Sequence, residues 1–187
     1  RGLGDVYKRQ NIQNPIRSLF TDDDQSLWLG TKGDGIVRIQ AYDTYHNKKM
    51  IPQSAITHFT TAAGLSSNRV YCFQKSEYHP CIWIGTEGPG LTYYSYKEKR
   101  IKTIPQREDT TPLRYVHSIC EVDDSTLWLA TTGNGLQKVT LHIDKAVPTI
   151  GKVQTFPLKN GENICKEIQS MVYDNDSTLF LGSRGGY

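Results

Sequence analysis

Short apolar runs alternate with polar stretches along this chain, and the runs return in the same order four times. Each copy has an apolar run with an aromatic residue inside it, then a glycine-containing turn, then in the first three copies a second apolar run. The aromatic residues are Trp28, Trp83, Trp128 and Phe180, so successive copies are 55, 45 and 52 residues apart. A repeat of this length is typical of a propeller or a solenoid.

The order of runs within a copy favours the propeller. Glycine permits the positive φ of a tight turn, and the β-branched and aromatic residues around it indicate a hairpin. A third apolar run precedes each motif and, in the first three copies, a fourth follows it. The predicted strands lie near 16–21, 26–31, 35–40 and 55–60, near 69–75, 81–86, 90–96 and 101–105, near 116–122, 126–131, 135–141 and 152–156, and near 168–173 and 178–182. Four antiparallel strands in each copy predict propeller blades.

We therefore predict an all-β fold, a partial β-propeller of four-stranded antiparallel blades, about three and a half in number. The blades are expected at about 14–63, 64–112, 113–163 and 164–187, within an incomplete propeller that covers 11–187. Residues 1–10 are polar and resemble the translation of a sequencing adaptor, so we predict that they form a non-native tail. Because propellers close with 4–8 blades, we expect the chain to be an interior piece of a longer protein.

The glycine motif carries a family resemblance. Its pattern, Trp-[Leu/Ile]-Gly-Thr-x-Gly-x-Gly-[Ile/Leu], together with the segment 59–70, resembles the two-component regulator propeller repeat over roughly residues 11–187. The pattern departs at Ala130, which replaces a glycine, and at Phe180, which replaces a tryptophan.

That resemblance implies a periplasmic sensor region of a hybrid two-component receptor. Such a region is linked through a membrane span to a histidine kinase, works as a homodimer, and recognises an oligosaccharide. The full-length chain would supply the remaining propeller blades.

Charge and cysteine content exclude several classes of function. The chain has a formal net charge of +3, and most of that excess falls in the predicted tail, so we expect no basic surface for nucleic acid. The four cysteines, Cys72, Cys81, Cys120 and Cys165, have irregular spacing and no metal signature. We expect Cys72 and Cys120 to be small buried residues of inner strands. Participation of Cys81 or Cys165 in a disulfide is left as an open alternative. Neither a metal nor a cofactor is predicted.

The candidate binding residues follow from the topology of a blade. Turns alternate between the two ends of a blade, so the glycine turns and the crossovers into the next blade should share one end, around the central channel. Loops on a rigid scaffold commonly carry function. We predict a ligand site formed by Arg69, Arg114, Tyr115, Asn68, Lys32, Glu87 and Asn134. Asn14, Asp34, Lys166, Glu167 and Arg184 should lie on the same face.

Other residue patterns have structural interpretations. The tryptophans recur once per blade inside apolar strands, which favours core between blades rather than sugar platforms. His117 is the histidine nearest the predicted face. An enzyme, such as a lyase or glycosidase, would need acid–base residues there, and Glu87, Glu167 and His117 are its candidates. A protein-binding scaffold is the third alternative. We expect this chain to sense a ligand rather than to catalyse a reaction.

Overall fold

The computed structural model describes residues 12–40, 51–106, 111–144, 147–156, 158–160, 163–165, 167–174 and 178–183. The predicted tail at 1–10 lies outside these ranges. In chain order the strands are β1 (Ile16–Thr21), β2 (Leu27–Thr31), β3 (Ile36–Ile39), β4 (Ile56–Phe59), β5 (Val70–Lys75), β6 (Cys81–Thr86), β7 (Leu91–Ser95), β8 (Arg100–Ile104), β9 (Val116–Asp123), β10 (Thr126–Thr131), β11 (Gly135–Asp144), β12 (Val147–Phe156), β13 (Leu158–Asn160), β14 (Asn163–Cys165), β15 (Ile168–Asp174) and β16 (Thr178–Ser183).

These strands form three four-stranded antiparallel sheets, in which spatial order follows chain order. The sheets are β1–β4, β5–β8 and β9–β12, and β15 and β16 form a two-stranded fourth sheet. The first strands of the four sheets lie against one another in the order β1, β5, β9, β15, as the inner strands of successive propeller blades do. The all-β partial propeller predicted from the sequence is confirmed.

The third blade differs from the prediction in its outer hairpin. β11 and β12 run on to Asp144 and Val147, and their pairing continues through His142↔Thr149 and Ile143↔Pro148. The strands predicted here were near 135–141 and 152–156; the residues added to them are largely exposed, so their pairing requires no apolar pattern. A further two-stranded hairpin, β13–β14, follows it in the chain.

Most of the core lies between the blades, and each of the three clusters found there contains a tryptophan. Trp28 and Trp83 are 0% exposed. Trp28 packs against second-blade residues such as Val70 and Ile84, and Trp83 packs against third-blade residues such as Val116 and Leu129. Their predicted role as core between blades is confirmed.

Two burial predictions were wrong. Trp128 is only half-buried; it lies at the edge of a cluster with Ile168 and Met171 of the fourth sheet, whose described part has two strands. Cys72 and Cys120 are half-buried rather than buried, and Cys81 is the buried thiol. These three cysteines are free thiols.

Glycine is required in the glycine turn at the position that the backbone of the same blade's outer strand approaches closely. Gly35 has φ 79° and Gly90 has φ 87°, a region that disfavours residues with a Cβ. A Cβ on Gly35 would lie 2.1 Å from the carbonyl oxygen of Phe59, and one on Gly90 would lie 2.5 Å from that of Ile104. The repeated glycines therefore serve the turn and leave room for strands β4 and β8.

The first and fourth sheets carry exposed apolar side chains. Leu19 of β1 is 58% exposed, and Val172 and Phe180 of the fourth sheet are 63% and 59% exposed. Phe180 stands at the repeat position of the buried tryptophans, so the two outermost sheets present core-type residues to solvent. Within the described ranges, helices of the length and apolarity needed to cross a bilayer are absent.

Candidate functional site

The glycine turn of each blade is hydrogen-bonded to the crossover that leads into the same blade. The amide of Lys32 donates to the carbonyl of Pro15 over 2.9 Å, that of Glu87 to Arg69 over 3.1 Å, and that of Thr132 to Tyr115 over 3.2 Å. The same bond thus occurs in three blades. Turns and crossovers therefore meet at one end of the inner strands, an end that we call the channel mouth.

Each crossover is also joined to the turn of the preceding blade. The amide of Gly35 donates to the carbonyl of Asn68 over 2.9 Å, and that of Gly90 donates to Leu113 over 3.1 Å. A β-bridge joins Lys32 to Arg69, and another joins Thr132 to Glu167. Backbone contacts therefore link neighbouring blades at the channel mouth and hold its loops in place.

Asp34 and Asn14, both predicted on this face, are hydrogen-bonded to each other. The carboxylate of Asp34 accepts the amides of Gln13 and Asn14 and the side-chain amide of Asn14. These bonds hold the pKa of Asp34 below its usual value, against the opposing effect of burial.

Both asparagines among the predicted binding residues stabilise crossovers. Asn68 accepts the amide of Thr61 over 2.9 Å, and Asn134 donates to the carbonyl of Pro112 over 2.9 Å. Lys32 is exposed. Lys166 and Arg184 lie outside the residues whose side chains are described.

Arg69 and Glu87, both predicted binding residues, form an ion pair across two loops of one blade. One guanidinium nitrogen of Arg69 lies 2.9 Å and 3.2 Å from the two carboxylate oxygens of Glu87. The hydrogen bond to Glu87 raises the pKa of Arg69. Because the arginine side chain is 55% exposed, solvent screens the pair and it contributes little to stability. Its main effect is to neutralise Arg69.

A bulge recurs at the second residue of every inner strand. The pairing with the neighbouring strand passes from Ile16 to Ser18, from Val70 to Cys72, from Val116 to Ser118 and from Ile168 to Ser170. The residues skipped are Arg17, Tyr71, His117 and Gln169, which we call the bulge residues. A bulge redirects its side chain and is common beside functional sites. Of these four residues, only His117 was predicted near this face.

The first three bulge residues stack on one another across three blades. The guanidinium carbon of Arg17 lies 4.5 Å from the ring centroid of Tyr71. The Tyr71 ring stacks on the imidazole of His117, with centroids 4.2 Å apart and 28° between the planes. The Nε2 atom of His117 is 2.8 Å from the hydroxyl of Thr132. We call Arg17, Tyr71 and His117 the stacked row.

Burial changes the titration of the two rings in this row. It raises the pKa of the Tyr71 phenol and lowers the pKa of the His117 imidazole. Arg17 lowers the pKa of His117 further, whereas Glu167 opposes the shift. His117 is therefore predominantly neutral at neutral pH, and Arg17 carries the positive charge of the row.

Tyr115 completes the mouth in an unusual backbone conformation. Its φ is 53°, in the left-handed region that a bulky residue rarely adopts. Its amide donates to the carbonyl of Glu87 in the second blade, and its carbonyl accepts the amide of Thr132 in the third blade. The guanidinium of Arg114 lies 5.6 Å from its ring centroid. The crossover therefore presents an aromatic face beside the stacked row.

The channel mouth combines aromatic faces with cationic and hydrogen-bonding groups. Such groups can stack on a sugar ring and bond its hydroxyls. Among the described residues there is no group of three His, Cys, Asp or Glu side chains arranged to hold a metal ion. The binding role of the seven residues chosen from the sequence stays a prediction.

Comparison with known proteins matches the repeat to a family. The model of the two component regulator propeller family matches residues 12–33, which confirms the predicted repeat. No curated protein matches the chain.

Several solved structures share the fold. One is described as the extracellular domain of hybrid two component system BT3049 from B. thetaiotaomicron, with a TM-score of 0.68 and 14% identity over 94% of this chain. Another, from system BT4673 of the same organism, has a TM-score of 0.67 and 19% identity over 93% of this chain. This chain spans 23% of the length of each. At such identities the likeness establishes the fold.

Proposed function

We propose that this chain belongs to the periplasmic sensor region of a two-component receptor, and that its channel mouth binds an oligosaccharide. The family match and the fold of the extracellular domains described above support the receptor assignment. The stacked row and Tyr115 support the site, because they place aromatic faces and polar groups together on a backbone held by bonds between blades.

The proposed role is recognition rather than catalysis. Glu87, the carboxylate among the predicted ligand residues, accepts hydrogen bonds from Arg69 through both oxygens, so its oxygens are occupied by an ion pair rather than directed at a ligand. In the intact receptor we propose a homodimer completed by the remaining propeller blades. A ligand would act by binding one arrangement of the two protomers more tightly than the other, because only such a difference shifts an equilibrium.

The test is calorimetric titration of the complete sensor region with a panel of oligosaccharides, in the wild type and in Tyr115→Asn. Asparagine tolerates positive φ, so this variant removes the ring and retains the backbone. Loss of the stacking surface should weaken binding about three- to tenfold. Tyr78→Asn is the matched control, because Tyr78 is a 50% exposed tyrosine in the turn before β6, at the opposite end of the blade.

Equal affinity in the wild type and in Tyr115→Asn would place the ligand elsewhere. Absence of binding across the panel would contradict the oligosaccharide proposal. Release of shortened products by the purified region would favour a propeller enzyme.

A further inference from the structure

Among the described residues, three arginines lie at the channel mouth, and their surroundings differ. Arg69 is paired with Glu87. Arg114 lies over the ring of its own neighbour, Tyr115, at 5.6 Å. Arg17 lies over Tyr71 at 4.5 Å, and within the described part of the chain no carboxylate oxygen is within 4.0 Å of its guanidinium. Arg17 is therefore the cation of the stacked row that the described residues leave uncompensated.

The guanidinium of Arg17 is held in position by a series of contacts that runs through Tyr71 and His117. Its guanidinium rests on Tyr71, the Tyr71 ring rests on His117, and His117 is bonded to Thr132. Contact through an aromatic face engages the positive charge and leaves the N–H groups of the guanidinium available. A positioned guanidinium with open N–H groups matches a carboxylate or sulfate through two parallel hydrogen bonds.

Charge is distributed unevenly along the stacked row. Arg17 stands at one end, and Glu167 acts electrostatically on His117 at the other. Glu87 and Arg69, which lie near Tyr71 between these ends, compensate each other. An anionic group is therefore attracted to the Arg17 end, while the end near Thr132 and Glu167 suits neutral hydroxyl groups.

We propose that Arg17 is the specificity-determining residue of the channel mouth and that its ligand is an acidic saccharide, bound through a carboxylate or sulfate group. This inference rests on the proposed oligosaccharide site. It assigns the anion to Arg17 and gives Arg69, the arginine first chosen from the sequence, a structural role in a pair with Glu87.

Paired probes that differ mainly in charge test this assignment in the complete sensor region. Tetragalacturonate and its methyl ester form one pair, and a sulfated galactose tetrasaccharide without carboxylates and its desulfated form provide the sulfate arm. We expect Arg17→Ala to weaken binding of the acidic probe about tenfold or more and to leave binding of its less charged partner within about twofold. Arg17→Lys should recover part of the loss, because it retains charge without the planar fork.

Arg69→Ala is the matched control and should change acidic-probe affinity less than Arg17→Ala does. Thermal unfolding of both variants should match the wild type, because both side chains are exposed. Equal affinity of the wild type and Arg17→Ala for an acidic probe would overturn the assignment. Binding of neutral oligosaccharides alone would overturn it while leaving the oligosaccharide site intact, and absence of any oligosaccharide binding would overturn both.

Discussion

The ring of Tyr71 stacks on the imidazole of His117 at a centroid distance of 4.2 Å, and each residue occupies a bulge in the inner strand of its own blade. Neighbouring inner strands of a propeller carry equivalent positions side by side, so a bulge repeated in every blade gathers one residue from each at the mouth. The contact therefore results from the repeat itself, and the residue types at the bulges determine its chemistry.

Replacement of Tyr71 should separate stacking from hydrogen bonding. Tyr71→Phe retains the face that supports Arg17, so affinity for an acidic oligosaccharide should stay within about twofold of the wild type. Tyr71→Leu removes the aromatic face and should weaken binding about three- to tenfold, in line with the magnitude of cation–π and aromatic contacts. Calorimetric titration measures both variants. A larger loss in Tyr71→Phe than in Tyr71→Leu would show that the phenol matters rather than the face.

The neutral state of His117 predicts a pH dependence of stability. Burial and Arg17 lower the pKa of this group in the folded protein from the usual 6.5, so the unfolded chain binds more protons between the two pKa values. The contribution of His117 to the free energy of unfolding is therefore fully present above pH 6.5, and it is lost as the pH falls through the lower pKa of the folded protein. Urea unfolding at pH 7.5 and pH 5 should show a smaller decrease in His117→Asn than in the wild type. The same decrease in both proteins would rule out this group as the source.

Truncation of the tryptophans should have unequal effects on stability. Trp83 is 0% exposed and donates its indole N–H to Glu121 over 3.0 Å, so Trp83→Ala should lower the free energy of unfolding by about 3–5 kcal/mol. Trp128→Ala should lower the free energy of unfolding by less, because the indole of Trp128 is half-buried and already in contact with solvent. Urea denaturation of the two variants gives the comparison. A larger loss for Trp128→Ala would contradict the described packing.

The thiols of Cys72 and Cys81 should be unreactive in the folded protein. Desolvation of the sulfur raises the pKa of each thiol to about 12, in Cys72 even though the residue as a whole is half-buried, so very little of the reactive thiolate is present at pH 8. Iodoacetamide at that pH should leave both residues unmodified in the native state and alkylate both in urea, as peptide mass spectrometry would show. Modification of Cys72 at the rate of a free thiol would mean that its environment is more open than described.

Much of the fold follows from the sequence, because a blade has a strict local pattern. The apolar runs, the glycine turns and the spacing of Trp28, Trp83 and Trp128 depend on neighbouring residues, and the predicted strand positions agree closely with the structure. The half-burial of Trp128 did not follow, since it depends on how far the next sheet covers it. The extended β11–β12 hairpin was missed because backbone pairing there carries no apolar signal.

The site was harder to predict than the fold. Topology correctly brought Arg69, Glu87 and Tyr115 to one end of the blades, but side-chain pairing between Arg69 and Glu87 depends on coordinates. Arg17, Tyr71 and His117 follow the first apolar residue of each inner strand, and that shared position was the available signal. It was missed because strict strand alternation gives no indication of a bulge.

The central claim, that the bulge residues and crossovers form the ligand site, is tested most directly by hydrogen exchange of the complete sensor region with and without the oligosaccharide that the panel titration identifies. Slower exchange is expected in the mouth segments 14–17, 68–71 and 114–117. The turns at the opposite end, 22–26, 76–80 and 123–125, should exchange at the same rate in both states. Protection confined to those opposite turns, with unchanged exchange at the mouth, would contradict the account.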